Sequence, residues 1–160
     1  MTQLRPGLRV ESDPTNKISL IRVEGRLTDE SLAELYEANR RYSTATHARV
    51  SIVDLSSVRE FAVSSGFIRH LARQRADANH VCFIVVPEGF AFGLCRMFQL
   101  LGEATRPLLQ IVHTLRGAFA AIGIQSPHFE PAIAPATLGA EYPAPIVAPD
   151  FPEVVRLSEP

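Results

Sequence analysis

The sequence predicts an α/β fold with a mixed, mostly parallel β-sheet, an antiparallel hairpin at one edge and about four helices. Short runs rich in β-branched residues alternate with segments whose apolar residues follow helical spacing. The first two extended runs follow one another directly, separated by Asp13-Pro14-Thr15-Asn16, a typical turn sequence. Apolar residues make up 46% of the chain and charged residues 21%, which suits a globular domain with a hydrophobic core.

The amino-terminal elements are a hairpin and a helix. Strands are expected over residues 7–12 and 17–24, and Gly25 is expected to end the second strand. Thr28 followed by two acidic residues has the pattern of a helix N-cap with first-turn carboxylates, which favour the positive end of the helix dipole. This helix is expected to continue to about Tyr42.

Three strand–helix units follow. Strands are predicted over residues 49–55, 81–86 and 108–112, and helices from Ser64, over 90–101 and over 115–122. The run 81–86 is apolar at every position, which indicates a central strand covered on both faces.

The last thirty-five residues differ in composition, because they hold eight of the twelve prolines. We therefore expect a domain over residues 8–125 and a proline-rich tail over 126–160. Proline removes backbone donors and disfavours helix interiors, so one interpretation is an extended or disordered tail. The other is a strap across the domain, held by Ile133, Leu138, Tyr142 and Ile146-Val147.

Charge and motif content exclude several classes of function. A formal net charge of −1 gives no global field for nucleic acid, and no signal peptide or membrane span is evident, so a cytoplasmic protein is expected. Cys82 and Cys95 lie in apolar runs and are expected to be reduced. The five histidines lack metal-ligand spacing, and no nucleophile elbow, P-loop or dinucleotide fingerprint is present. We expect no cofactor, no metal and no catalytic residue.

One combination of motifs carries a family resemblance. The run Asp54-Leu55-Ser56-Ser57-Val58, followed by Ser64-Ser65-Gly66 at a helix start, resembles the STAS domains of sulfate transporters and anti-sigma-factor antagonists. The order of elements over about residues 8–124 is similar as well, and the chain is most like bacterial STAS-like proteins of unassigned role. Val63 stands where the family has Asp, and the intervening loop is about one residue longer.

The resemblance implies a regulatory domain that binds a protein partner of the kinase or anti-sigma type, with Ser64 as phosphoacceptor. Ser64, Ser65 and Gly66 would form the docking face, and Asp54 would organise the adjacent loop by hydrogen bonding. The residues alone allow a simpler interpretation, in which the serines only cap the helix. Arg69 and Arg73 on the same helix would either be solvated or hold a phosphate or an acidic partner surface.

The third helix carries more apolar side chains than one stripe requires. It is either buried on two sides, or it presents Phe92, Met97 and Phe98 to an apolar ligand or to a second subunit. The sequence thus supports two hypotheses of binding rather than catalysis. The first is a protein-binding regulatory module, and the alternative is a carrier or sensor of a small apolar ligand.

Overall fold

The computed structural model describes residues 7–132, and within them the predicted α/β fold is confirmed. Six strands are present: β1 (Leu8–Asp13), β2 (Ile18–Thr28), β3 (Val50–Ala62), β4 (Val81–Val85), β5 (Leu109–Val112) and β6 (Glu130–Pro131). The four helices of this range are α1 (Asp29–Ala45), α2 (Ser65–Ala72), α3 (Phe90–Leu101) and α4 (Leu115–Ile122).

The strands form one mixed sheet in the order β5-β4-β3-β2-β1-β6. The pairs β2–β3, β3–β4 and β4–β5 are parallel, and each is joined by a helix because parallel neighbours need a crossover connection. The pairs β1–β2 and β1–β6 are antiparallel, as expected for a hairpin at one edge. Since α1 leads into the start of β3, and the segment after α2 into the start of β4, both connections lie at the amino ends of the parallel strands.

Strand β3 is longer than predicted. Its pairing with β4 stops at Asp54, but its pairing with β2 continues to Ala62 through two register shifts. The expected end of the strand at residue 55 was therefore wrong, and most of the predicted loop before Ser64 is strand. Asp54 consequently lies inside β3, at the point where β4 leaves the ladder.

The segment after α4 returns to the sheet. β6 pairs with β1, so the folded part of the chain continues past Gln125 to at least Ala132. The buried carboxylate of Asp13 holds this return, because it accepts hydrogen bonds from the backbone amides of His128 (3.1 Å) and Asn16 (3.1 Å). The residues proposed for a strap, from Ile133 to Val147, lie outside the described range.

Three of the four helices begin at a side-chain cap. Thr28 and Ser31 form a reciprocal capping box at α1, and the hydroxyls of Ser64 and Thr114 accept backbone amides at the starts of α2 and α4. The cap at Ser64 was predicted. Helix α3 begins after Gly89 without a side-chain cap, and the φ of +126° at Gly89 is one that glycine tolerates.

The two faces of the sheet bury separate clusters, since neighbouring strand residues point to opposite faces. On the first face, α1 and α3 cover a cluster that contains Ile21, Val53 and Leu55, and α2 packs beside it against α1 in a smaller cluster of Ala33, Phe67 and Leu71. On the second face, α4 and the segment after it cover Ile18, Leu20, Ile52, Phe83, Val85 and Ala118.

Helix α3 is not buried on two sides, so that interpretation was wrong. Cys95 is its one fully buried side chain, whereas Phe90 is 73% and Leu101 52% exposed. Its apolar excess therefore forms an outer stripe that no described residue covers.

Candidate functional site

Ser64 binds a carboxylate that sequence reasoning missed. Its hydroxyl donates to Asp29 Oδ2 and its backbone amide donates to Asp29 Oδ1, both at 2.8 Å, while the hydroxyl oxygen accepts the Phe67 amide at 3.2 Å. Asp29 is the first residue of α1, so this contact links the starts of α1 and α2. The Thr-Asp-Glu pattern predicts Asp29 as an acid in the first turn of α1. Its contact with Ser64 could not be predicted, because thirty-five residues separate the two.

The start of α2 is therefore not a free anion-accepting site. A phosphoryl group on Ser64 would replace the hydroxyl proton that is donated to Asp29 and would lie beside this carboxylate, which repels it. The Asp29 carboxylate thus opposes the phosphoacceptor role that the resemblance implies for Ser64. Phosphorylation of Ser64 remains a prediction, and it would act by separating the starts of α1 and α2.

The other residues of the predicted docking face lie near Ser64. Ser65 and Gly66 form the half-buried first turn of α2, and Arg69 and Arg73 are exposed one helical turn apart. Asp54 is 6% exposed and accepts the amide (3.0 Å) and hydroxyl (2.6 Å) of Ser56. It thus shapes the irregular part of β3.

A cavity of about 590 Å³ lies on the first face of the sheet, between α1 on one side and α2 and α3 on the other. Its floor is formed by residues of β3, β4 and β5, including Val53, Cys82, Ile84 and Leu109. Phe98 lines it together with Leu94 and Cys95 of the same helix. The volume falls in the range of small-molecule sites, which is about 300–1,000 Å³.

Phe92 and Met97 do not line this cavity, although they were predicted to share a surface with Phe98. Phe92 packs against His113, with ring centroids 4.9 Å apart, and Met97 is half-buried beside the exposed stripe of α3. The predicted ligand face is therefore divided between the two sides of the helix.

One wall of the cavity is polar. Ser43 lines it, and the Ser43 hydroxyl lies 2.7 Å from the Ser51 hydroxyl, which lies 2.6 Å from His80 Nε2. Burial lowers the pKa of His80, and nearby Asp77 partly opposes that shift, so the imidazole is neutral at pH 7. These hydrogen bonds give the wall donors and acceptors without a charge.

The two thiols that border the cavity are protonated at neutral pH. Burial raises the pKa of Cys82 and of Cys95 to about 12. Cys82 keeps some accessible surface although it lies deep in the sheet, because its side chain faces the cavity. Neither thiol is a nucleophile in this state, since the thiolate is the reactive form.

Arg106 holds the three helices around the cavity. Its guanidinium donates to the carbonyls of Leu71 and Ala72 (both 3.1 Å) at the end of α2 and to the Tyr36 hydroxyl (2.7 Å) on α1. The same group lies 5.0 Å from the ring centroid of Phe98 on α3. Sequence gave no signal for this role, because Arg106 follows α3 in an irregular segment.

Within residues 7–132 no helix is long and apolar enough to cross a membrane, and no cluster of three or more His, Cys, Asp or Glu could hold a metal ion. A scan against known protein families and a search of curated proteins found no match to this chain. The resemblance to STAS domains therefore remains a prediction.

Proposed function

We propose that the protein binds a small, mainly apolar molecule in the cavity on the first face of the sheet and acts as its carrier or sensor. The observation that carries the proposal is the cavity of about 590 Å³, which opens to solvent at one end and has the size of a small-molecule site. Its lining is mainly apolar, and removing apolar surface from water is favourable. A ligand that fills the cavity would cover this surface.

The test is titration with Nile red, a neutral apolar dye whose fluorescence rises in apolar surroundings. We expect saturable binding of one dye per chain. The double variant Cys82→Phe/Leu94→Phe places two rings in the cavity and should weaken binding at least tenfold. The matched control Leu100→Phe/Leu101→Phe adds the same groups to the exposed side of α3 and should bind like the unmodified chain.

Absence of saturable dye binding in the unmodified chain contradicts the proposal. Equal binding by the folded cavity variant also contradicts it, because the dye must then lie elsewhere. Thermal melting of each variant shows whether it has folded. Native mass spectrometry of the freshly purified chain would show a retained natural ligand as an added mass.

A second candidate function is docking of a protein partner on α2. It is favoured by Arg69 and Arg73, which are exposed one turn apart and suit an acidic surface. The STAS resemblance suggests a partner of the kinase or anti-sigma type. A protein captured from lysate by the chain should be lost with Arg69→Glu/Arg73→Glu but kept with the control Arg116→Glu, which lies exposed on α4. Capture that survives the first variant contradicts this candidate.

A further inference from the structure

The proposed cavity is polarised from end to end, and its polarity identifies a ligand class. We propose that it takes a single-chain amphiphile with an anionic head, whose alkyl chain lies at the closed end and whose head lies beside Arg75. This inference rests on the proposed binding function and specifies its ligand.

Helix α1 sets the polarity of the cavity. Leu32 and Leu35 of its first half line the cavity, whereas Asn39, Ser43 and Thr44 line it from the second half. The apolar end continues at the carboxyl ends of the parallel strands, in a wall formed by Leu27, Phe61, Val63 and Ile68. The polar end lies at the amino ends of β3 and β4, where Asp77 and His80 join the lining. A ligand that matches this wall must be apolar at one end and polar at the other.

The polar end is also the open end. Arg40, Thr44, Arg75 and Asp77 are all exposed, although each lines the cavity. At the other end, by contrast, no lining residue of the described range is exposed: Leu27, Leu35, Leu55 and Ile68 are buried, and Leu32, Phe61 and Val63 are half-buried. An amphiphile that enters at the polar mouth can therefore place its alkyl tail at the closed end and leave its head group in contact with water.

The charge at the mouth favours an anion. Three guanidinium groups, those of Arg40, Arg75 and Arg106, line the cavity, against the single carboxylate of Asp77. Arg40 pairs with Glu37 at 2.9 Å, and Arg106 is held by backbone carbonyls and Tyr36. Arg75 makes no ion pair with any residue from 7 to 132, so its guanidinium is the group best placed to meet a carboxylate or phosphate.

The size of the cavity suits one small ligand, because 590 Å³ falls in the range of about 300–1,000 Å³ found for small-molecule sites. The space lies between α1 and the α2–α3 pair. The Thr44 hydroxyl donates to the Arg40 carbonyl (3.0 Å), so near the mouth it is Ser43 whose hydroxyl can turn from Ser51 to the oxygens of a head group.

The test compares four probes with the same twelve-carbon chain as competitors of Nile red: dodecanoate, dodecyl phosphate, 1-dodecanol and dodecyltrimethylammonium. At low salt, at least one of the two anions should bind fivefold or more tightly than the alcohol, and the cation should bind most weakly. The advantage should shrink as salt is added, because the head lies at an exposed mouth. Comparison of the two anions distinguishes a carboxylate from a phosphate head.

The variant Arg75→Met should reduce the affinity for the preferred anion to that for the alcohol, with Nile red binding unchanged. Its matched control is Arg73→Met, which removes an exposed arginine two positions away that does not line the cavity, and it should keep the preference. Equal binding of all four probes to a chain that binds Nile red overturns this inference and leaves the proposed function intact. A preference for anions that survives Arg75→Met also overturns this inference. Absence of Nile red binding to the unmodified chain would instead contradict the proposed binding function.

Discussion

One face of the sheet is covered by three helices and the other mainly by α4, and strand β4 shows how differently the two faces are packed. Phe83 and Val85 point to the α4 face and are 2% and 0% exposed. Cys82 and Ile84 alternate with them, point to the three-helix face and are only half-buried, because both border the cavity. The face covered by three helices is thus less tightly packed than the α4 face. The space left on it is the cavity in which we place the ligand.

The two faces also differ in what holds them together. The α4 face is closed by apolar contacts such as Phe119 with Phe129, whose ring centroids lie 5.8 Å apart. Each face also has a polar link between distant residues, Asp13 with His128 in the segment after α4 and Ser64 with Asp29 on the three-helix face. Within residues 7–132, only the three-helix face has in addition a side chain, that of Arg106, that bonds to two of the helices beside the cavity. Such links fix the helices without filling the space between them. A binding cavity needs this combination of a rigid wall and an open interior.

The largest effect is expected from Arg106→Met. The change leaves the carbonyls of Leu71 and Ala72 and the Tyr36 hydroxyl without their charged donor, and each such bond contributes about 1.5–3 kcal/mol. We expect a loss of about 3 kcal/mol or more in the free energy of unfolding, measured with urea. The control Arg116→Met alters an exposed arginine on α4 and should change stability by less than about 0.5 kcal/mol. Similar losses in both variants would contradict the role of Arg106.

Enlarging one side chain on each face should have opposite effects on stability. Ala118 is fully buried on the α4 face, so Ala118→Leu should overpack it and cost about 1–3 kcal/mol. Cys82→Phe adds a larger group to the cavity and should raise stability by about 1 kcal/mol, as cavity-filling changes commonly do. Urea unfolding measures both. Destabilisation by Cys82→Phe of the size found for Ala118→Leu would mean that the first face is packed as tightly as the second.

Introducing Asp at a helix cap should also affect the two faces differently. Asp caps helices well, but Ser64→Asp brings a second carboxylate to Asp29 and should cost about 1–2 kcal/mol. Thr114→Asp at the start of α4 is the control, because α4 has no acid in its first turn, and its cost should be close to zero. Adding Asp29→Asn to Ser64→Asp should recover part of the loss. If Ser64→Asp left the free energy of unfolding unchanged, the contact with Asp29 would contribute little to stability.

The smallest effect is expected from pH. Because the pKa of folded His80 lies below its ordinary value of 6.5, the folded state resists a proton that the unfolded chain accepts. The corresponding stability is present above pH 6.5 and is lost as the pH falls through 6.5 towards the folded pKa. His80→Gln should remove this part of the acid sensitivity, seen in urea unfolding at pH 7.5 and 5.5. The exposed control His128→Gln should keep it, and an unchanged pH profile in His80→Gln would contradict the assignment.

The sequence predicted the elements of this fold well because their signals are local. Apolar spacing, turn residues and caps at Thr28 and Ser64 depend on neighbours within a few positions. The continuation of β3 was missed because its polar sequence, Ser-Ser-Val-Arg-Glu, is strand only through pairing with β2. β6 was missed for the same reason. Pro131 weakens the strand signal of its sequence, and the segment is a strand only because it pairs with β1.

Most of the candidate site depends on such long-range contacts. Phe98 was identified from the apolar excess of α3, but the cavity beside it arises from how α1 is placed against α2 and α3. No local pattern connects His80 with Ser51, or Arg106 with Tyr36, because twenty-nine and seventy residues separate the members of these pairs. Helical spacing does place Asn39 and Ser43 one turn apart on the stripe of Leu32, Leu35 and Tyr36. Polar residues on an otherwise apolar helical stripe are the one sequence signal that points to this wall.

The most direct test of the account is a titration of the methyl-labelled chain with dodecanoate, followed by methyl NMR spectra and intermolecular nuclear Overhauser effects. We predict effects at cavity methyls such as those of Leu35, Leu94 and Ile84, and unchanged signals for Leu20, Ile52 and Val85 on the α4 face. Effects confined to the α4 face, or to the exposed methyls of Leu100 and Leu101, would contradict the central claim that the three-helix face holds the ligand.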